Sequence, residues 1–146
     1  MTRKCFIIDI DGTIADGDHR LHHIQKEPRD WDAFFKACGD DKPIEHMRLV
    51  VEALSAFYPI VLVSGRSDLV LAETVEWLEQ HKFCWSALYM RNQGDHTDDD
   101  KLKIKLLEQV RKDGFEPVMA FDDRNRVVKA WREAGVPCAQ VAEGDF

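Results

Sequence analysis

Asp9 and Asp11 stand two residues apart where an apolar run, Phe6-Ile7-Ile8, gives out and a Gly12-Thr13 turn begins. On an extended segment side chains two apart point the same way. Two carboxylates held side by side repel unless a cation or a shared proton relieves them, so the pair asks for a metal ion or for acid-base work. The pattern recurs along the chain. Val118-Met119-Ala120-Phe121 runs into Asp122-Asp123, and Ile60-Val61-Leu62-Val63 runs into Ser64-Gly65-Arg66. A lone Asp-x-Asp is most often a solvated turn at a strand end. Three apolar runs that end in Asp/Asp, Ser/Arg and Asp/Asp are not accounted for by solubility. Asp9, Asp11, Asp122 and Asp123 together would form a hard oxygen site suited to Mg²⁺, which takes carboxylates alongside a substrate phosphate. Thr13, Ser64, Arg66 and a lysine would give such a phosphate its donors and countercharge. Lys101, Lys103 and Lys105 all qualify, and their alternation with Leu102, Ile104 and Leu106 does not choose among them.

The elements that must position these groups read as repeated βαβ units around a parallel sheet. Strands are expected at Cys5–Ile8, Ile60–Val63, Ala87–Met90, Val118–Phe121 and Ala139–Val141. Between them, Met47, Val50, Val51 and Leu54 line one face of a helix over Glu45–Phe57. A second helix starts behind Ser67 and Asp68 as caps and runs to about His81, a third spans Asp100–Lys112, and a fourth covers Asn125–Ala134 before Gly135. Residues 14–43 break the alternation. They are polar, hold three histidines and carry one apolar cluster at Trp31, Phe34 and Phe35, so they read as an insertion after the first strand. In open α/β sheets ligands bind beyond the carboxyl ends of the strands, which is where that insertion would lie.

The 146 residues are 45% hydrophobic and 32% charged, the make-up of one globular domain over residues 1–146. Twenty basic against 27 acidic residues leave a net charge of -7, which argues against a large basic face coating nucleic acid. Only four apolar residues lie between Met1-Thr2-Arg3-Lys4 and Asp9, too few for a secretory or membrane-spanning segment, so a cytoplasmic protein without a membrane partner is expected. Cys5, Cys38, Cys84 and Cys138 have neither Cys-x-x-Cys nor zinc-ligand spacing and read as buried reduced thiols.

These motifs, in this order, resemble the haloacid dehalogenase superfamily of aspartate-nucleophile phosphatases. Asp9-x-Asp11-Gly12-Thr13 is similar to its first motif, Ser64 to its second, a helix lysine to its third and Asp122-Asp123 to its fourth. Arg91-x-Gln93-Gly94-Asp95, Asp122-Asp123-Arg124, Val127-Val128, Trp131-Arg132, Gly135-Val136 and Gln140-Val141-Ala142-x-Gly144-Asp145-Phe146 resemble more narrowly the 3′-phosphatase domains of bacteriophage polynucleotide kinase-phosphatases. The resemblance implies a Rossmann-like three-layer α/β fold with a parallel sheet and a small cap insertion at 14–43. It implies a Mg²⁺-dependent phosphomonoesterase acting on 3′-phosphorylated nucleic-acid ends or nucleotides, working in the host cytoplasm if phage-encoded. It selects Lys103 among the lysines, with Asp9 as nucleophile and Asp11 as general acid and base. Thr13, Arg20, Ser64, Gly65, Arg66 and Arg91 then bind substrate phosphate, and Asp9, Asp11, Asp122 and Asp123 hold the metal, Asp11 through its main-chain carbonyl. No Gly-x-x-x-x-Gly-Lys-Ser/Thr loop occurs, so kinase activity is not implied, and a separate kinase or ligase would be its partner. Homo-oligomerisation stays open.

For Asp11 to serve as acid and then as base, its proton affinity should be raised by the neighbouring acids. The other chemical-looking residues have plainer readings. Trp31, Phe34 and Phe35 are expected to form a local core rather than stack on a base, and Trp77 and Trp131 to be core. His19, His22 and His23 lack metal-ligand spacing, and Asp98-Asp99-Asp100 read as helix-capping acids. Two other activities remain: a nucleotidase or small-metabolite phosphatase, and a receiver-like domain that stores an aspartyl-phosphate. A general base at Asp11 speaks against the second.

Overall fold

The computed structural model describes residues 1–146. Its central sheet has the strand order β5-β4-β1-β6-β7, with every neighbouring pair parallel. The strands are β1 (Arg3–Ile8), β4 (Ile60–Ser67), β5 (Ala87–Arg91), β6 (Phe115–Asp122) and β7 (Cys138–Gln140). Helices α3 (Glu45–Ser55), α4 (Leu71–Gln80), α5 (Asp99–Lys112) and α6 (Asn125–Glu133) connect them. All five expected strands and all four helices form, with ends shifted by a few residues. The largest shifts are in β4, which runs four residues past Val63 to Ser67, and in β6, which starts three residues early and contains Pro117. Opposite it, pairing with β1 slips between Cys5 and Phe6, so that Val118 is skipped and the proline is accommodated.

Alternation along the strands sorts the two layers of helices. Ile7, Val61 and Val63 face α5 and α6 through Leu107, Val110, Val127, Val128 and Trp131. Ile8, Ile60 and Leu62 face α3 and α4 through Met47, Val51, Trp77 and Leu78. Both faces of the sheet are therefore covered, as a parallel sheet requires. The chain winds from β1 outward to β4 and β5, then crosses back to β6 and β7. The carboxyl end of β1 is the switch point of the sheet, where a crevice opens.

Between β1 and α3 the chain leaves the sheet. A two-stranded antiparallel ribbon, β2 (Ala15–Asp16) and β3 (Lys42–Pro43), closes this excursion. It carries a single turn at Asp18–Arg20, the short helices α1 (His22–Gln25) and α2 (Trp31–Lys36), and a turn at Ala37–Asp40.

Candidate active site

Three strand ends and one helix start converge at the switch point. Asp9 follows β1, Ser64 to Arg66 end β4, Asp122 ends β6, Asp123 follows it, and Lys103 lies on the second turn of α5. Asp9, Ser64, Arg66, Lys103, Asp122 and Asp123 are all buried. An unpaired buried charge is costly, so each must find a partner. Lys103 Nζ donates to Asp9 Oδ1 at 2.7 Å and to Asp122 Oδ2 at 2.8 Å, and Thr13 Oγ1 donates to Asp9 Oδ2 at 3.0 Å. Asp122 also accepts the Asp123 main-chain N–H at 2.9 Å and the Trp131 indole N–H at 3.3 Å. The lysine selected by resemblance is thus the one that turns inward.

Asp9, Asp122 and Asp123 bring one carboxylate oxygen each to within 4.8 Å of one another. One ammonium does not neutralise three carboxylates. Burial and the Asp122 carboxylate raise the Asp9 pKa well above the usual range against the pull of Lys103, and the same two causes push Asp123 up to about 6. Burial opposes the charge of Lys103 too, yet Asp122 and Asp9 hold it firmly protonated. The surplus negative charge and the all-oxygen donors fit a hard divalent cation. Backbone shape protects this cluster. Gly12 sits at φ +80°, and a Cβ there would lie 2.1 Å from Asp123 Oδ2.

The Asp11 carboxylate does not join the trio. β1 ends at Ile8, so the two-residue alternation that would align Asp9 with Asp11 stops short of them. Asp11 instead accepts from Arg66 Nε at 3.1 Å, Arg66 Nη2 at 2.8 Å and Arg20 Nη2 at 2.7 Å. Burial pushes its pKa up, but Arg66 and then Arg20 outweigh it and hold the carboxyl below the usual range. The expectation that nearby acids raise the Asp11 pKa is therefore reversed, because its neighbours are arginines. Of the four acids expected at one oxygen site, three carboxylates gather.

Arg20 and Arg66 are fully buried rather than free in the crevice. Asp41, at the return from the excursion, takes both. It accepts from Arg20 Nε and Nη2 at 2.8 Å each and from Arg66 Nη2 at 2.9 Å, while its main-chain oxygen accepts from Trp77. Arg66 Nη1 reaches Thr74 Oγ1 at 3.1 Å. Ser64 is buried and its hydroxyl accepts the Arg66 N–H at 3.1 Å. Arg91 Nε donates to the Gly65 carbonyl at 2.9 Å, tying β5 to the end of β4. A Cβ on Gly65 would lie 2.1 Å from Asp99 Oδ1, so a side chain there would have to displace that carboxylate.

Three residues of this neighbourhood escaped the sequence reading. Nothing in Asp40-Asp41 separates Asp41 from a solvated neighbour. Asp99, read as a capping acid, lies 4.0 Å from Lys103, 3.7 Å from Arg91 and 3.8 Å from Arg124, and its Oδ1 is buried without a hydrogen bond. Its spacing of four residues before Lys103 was the available signal, since such residues share a helix face. Arg124 follows the acid pair and donates to the Phe146 carbonyl at 2.7 Å. The aromatic cluster is no sealed core. Trp31 is 46% exposed and no residue of α2 is buried. His22 and His23 stack on each other, and His19 bonds Asp41 at 2.8 Å. Trp77 and Trp131 are core as expected, and the four cysteines are free, three of them buried as expected and Cys84, in the loop between α4 and β5, exposed instead.

Residues 3–146 match the model of the polynucleotide kinase PNKP phosphatase domain. The chain belongs to that family. It is a phosphatase of haloacid dehalogenase type, and this membership sets aside a receiver-like store of phosphoaspartate. A bifunctional polynucleotide kinase/RNA ligase homologue of Autographa californica nuclear polyhedrosis virus is 26% identical over 136 residues, which are 92% of this chain and 18% of that protein. A chain in a solved Pnkp1/Rnl/Hen1 complex superposes with a TM-score of 0.84 at 28% identity, covering 99% of this chain and 48% of that one. The chain thus spans less than half the length of these relatives. A haloacid dehalogenase-like hydrolase of Streptococcus pneumoniae has a TM-score of 0.68 at 14% identity, over 95% of this chain and 84% of its own, a likeness of fold. No helix is long and apolar enough to cross a membrane.

Proposed function

We propose that this chain removes 3′-phosphates from nucleic-acid ends, with Mg²⁺ as cofactor and an aspartyl-phosphate on Asp9 as intermediate. The observation that supports this chemistry is the fixing of Asp9 at the switch point by Lys103 and Thr13 beside two further buried acids. Such a carboxylate cannot rotate away from an incoming phosphorus.

An Asp9 oxygen attacks phosphorus and the bond to the leaving 3′-oxygen breaks. Asp11 supplies the proton that oxygen needs, then takes one from the water that hydrolyses the acyl phosphate. In the resting arrangement Asp11 is ionised and held by Arg66 and Arg20, so its carboxyl must first be released from them to carry a proton. Lys103, Ser64 and Thr13 stand ready for the non-bridging oxygens and the charge they develop. Mg²⁺, held by Asp9, the Asp11 main-chain carbonyl and one of Asp122 or Asp123, would screen the nucleophile from the anionic phosphate. Arg91, whose Nε donates to the Gly65 carbonyl, is the arginine we assign to a substrate phosphate at the rim, since Arg20 and Arg66 are fully buried. Residues 14–43 serve as a small cap over this entrance.

The relatives named for a kinase, a ligase and an RNA repair complex support ends of nucleic acid as the substrate. A kinase or ligase acting on the same ends would be the partner. The test is phosphate release from a 3′-phosphorylated oligonucleotide, a 5′-phosphorylated one and a 3′-mononucleotide, with wild type and Asp9→Asn. Preference for the 3′-phosphorylated oligonucleotide, lost in the variant, is expected. Best cleavage of the mononucleotide with the oligonucleotide ignored would keep the chemistry and replace end repair with a nucleotidase.

A further inference from the structure

Helix α2 is six residues long, and three of them are aromatic. Trp31, Phe34 and Phe35 fall at i, i+3 and i+4, so their rings share one face. They pack on one another with centroids 5.7, 6.0 and 5.5 Å apart. Phe34 and Phe35 are half-buried, and Trp31 stays 46% exposed. The cluster is joined to the active site through one residue. The Arg20 guanidinium lies 4.3 Å from the centre of the Phe34 ring, donates to the Phe34 carbonyl at 3.1 Å and reaches Asp11 Oδ1 at 2.7 Å. Asp30 fixes the start of the helix by accepting the Ala33 N–H at 3.0 Å.

We propose that this face of α2 is a stacking platform for the nucleobase of the 3′-terminal nucleotide, with Trp31 as its exposed ring. The inference rests on the 3′-end reading and adds how the nucleoside is held. Asp11 is the group that meets the leaving 3′-oxygen, so the nucleoside attached to that oxygen extends from Asp11's side of the crevice. Arg20 and Phe34 stand on that side. Charge supplies a second reason. A chain of net charge -7 has no general field to hold a polyanion. Along residues 18–36, the four basic residues Arg20, Lys26, Arg29 and Lys36 are matched in number by the acids Asp18, Glu27, Asp30 and Asp32. Stacking needs no net charge, and it tolerates any sequence because every base presents a π-face.

The experiment compares kcat/KM for two 3′-phosphorylated oligonucleotides, identical except that one ends in an abasic nucleotide, and for p-nitrophenyl phosphate. Wild type, Trp31→Ala and Trp31→Phe are measured on all three. Wild type is expected to favour the base-bearing end by about 5- to 100-fold, the usual worth of one stacked base. Trp31→Ala removes that preference, so its loss on the base-bearing end exceeds its losses on the other two substrates, and Trp31→Phe keeps most of it. Equal wild-type rates on both oligonucleotides overturn the platform while leaving the 3′-end reading intact. A Trp31→Ala loss shared equally by all three substrates also overturns it, as damage to the cap alone. Turnover of p-nitrophenyl phosphate with neither oligonucleotide cleaved refutes the 3′-end reading, and the platform with it.

Discussion

Asp41 is the place where the arrangement can be tested hardest, because it touches none of the reacting groups. Its carboxylate is fully buried and receives two hydrogen bonds from Arg20, one from Arg66 and one shared with His19. Both arginine side chains are themselves fully buried. Asp41→Ala leaves two guanidinium groups in the interior facing the single carboxylate of Asp11. Removing one partner of a buried ion pair costs about 3–5 kcal/mol, since the remaining charge is desolvated without compensation. Asp41→Asn keeps one acceptor oxygen and should fall short of that. Urea unfolding at neutral pH, analysed with a constant slope, reads the loss directly. The exposed pair of Glu45 and Arg48, at 2.6 Å, is the control: it is just as short, but water already solvates it, so Glu45→Ala should leave the midpoint almost unchanged. An Asp41→Ala variant no less stable than Glu45→Ala would refute the reasoning that this buried quartet ties residues 14–43 to the sheet.

Asp11→Asn should lower kcat on a 3′-phosphorylated oligonucleotide by about 10²- to 10⁴-fold, the range of general acid-base help, with a smaller loss on an aryl phosphate whose leaving group needs no proton. Gly12→Ala should abolish measurable turnover while the chain still folds, because the new methyl would overlap Asp123 and the positive φ disfavours it; circular dichroism beside the activity assay separates the two. Mg²⁺ should raise the melting temperature more at about pH 7.5 than at about pH 5. Asp123 has its pKa raised to about 6 in the metal-free fold, so its contribution to stability is intact below the unfolded carboxylate range and is lost as pH rises through about 6, and burial with the Asp122 carboxylate raises Asp9 in the same direction. A cation that binds the ionised trio recovers it, so an equal shift at both pH values, read by thermal unfolding with Mg²⁺ or EDTA, would contradict the cation site.

The strand-helix alternation was legible because a parallel sheet covered on both faces writes its strands as unbroken apolar runs, as Ile60-Val61-Leu62-Val63 shows. The acids and the serine were legible because they follow those runs directly. What could not be read was direction. Asp9 and Asp11 look alike in sequence, yet one turns to Lys103 and the other to Arg66, since the strand ends before the alternation reaches them. Asp41 and the two arginines it gathers are far apart in the chain, and only the return of residues 14–43 through β2 and β3 brings them together. Trp31, Phe34 and Phe35 read as core because aromatic residues at helical spacing usually are. Trp31 is exposed and the two phenyl rings are only half-buried because α2 packs on α1 and the Ala37–Asp40 turn rather than on the sheet, which no local pattern records.

The central claim is that Asp9 carries the phosphoryl group away from a 3′-end. The most direct measurement is the stereochemical course at phosphorus, followed with an oligonucleotide bearing an oxygen-isotope-labelled 3′-terminal thiophosphate and hydrolysed in isotopically labelled water. Two in-line displacements, first by Asp9 and then by water, each invert phosphorus and together return retention. Retention is the result predicted. Inversion would mean a single attack by water and would contradict the assignment of Asp9 as nucleophile.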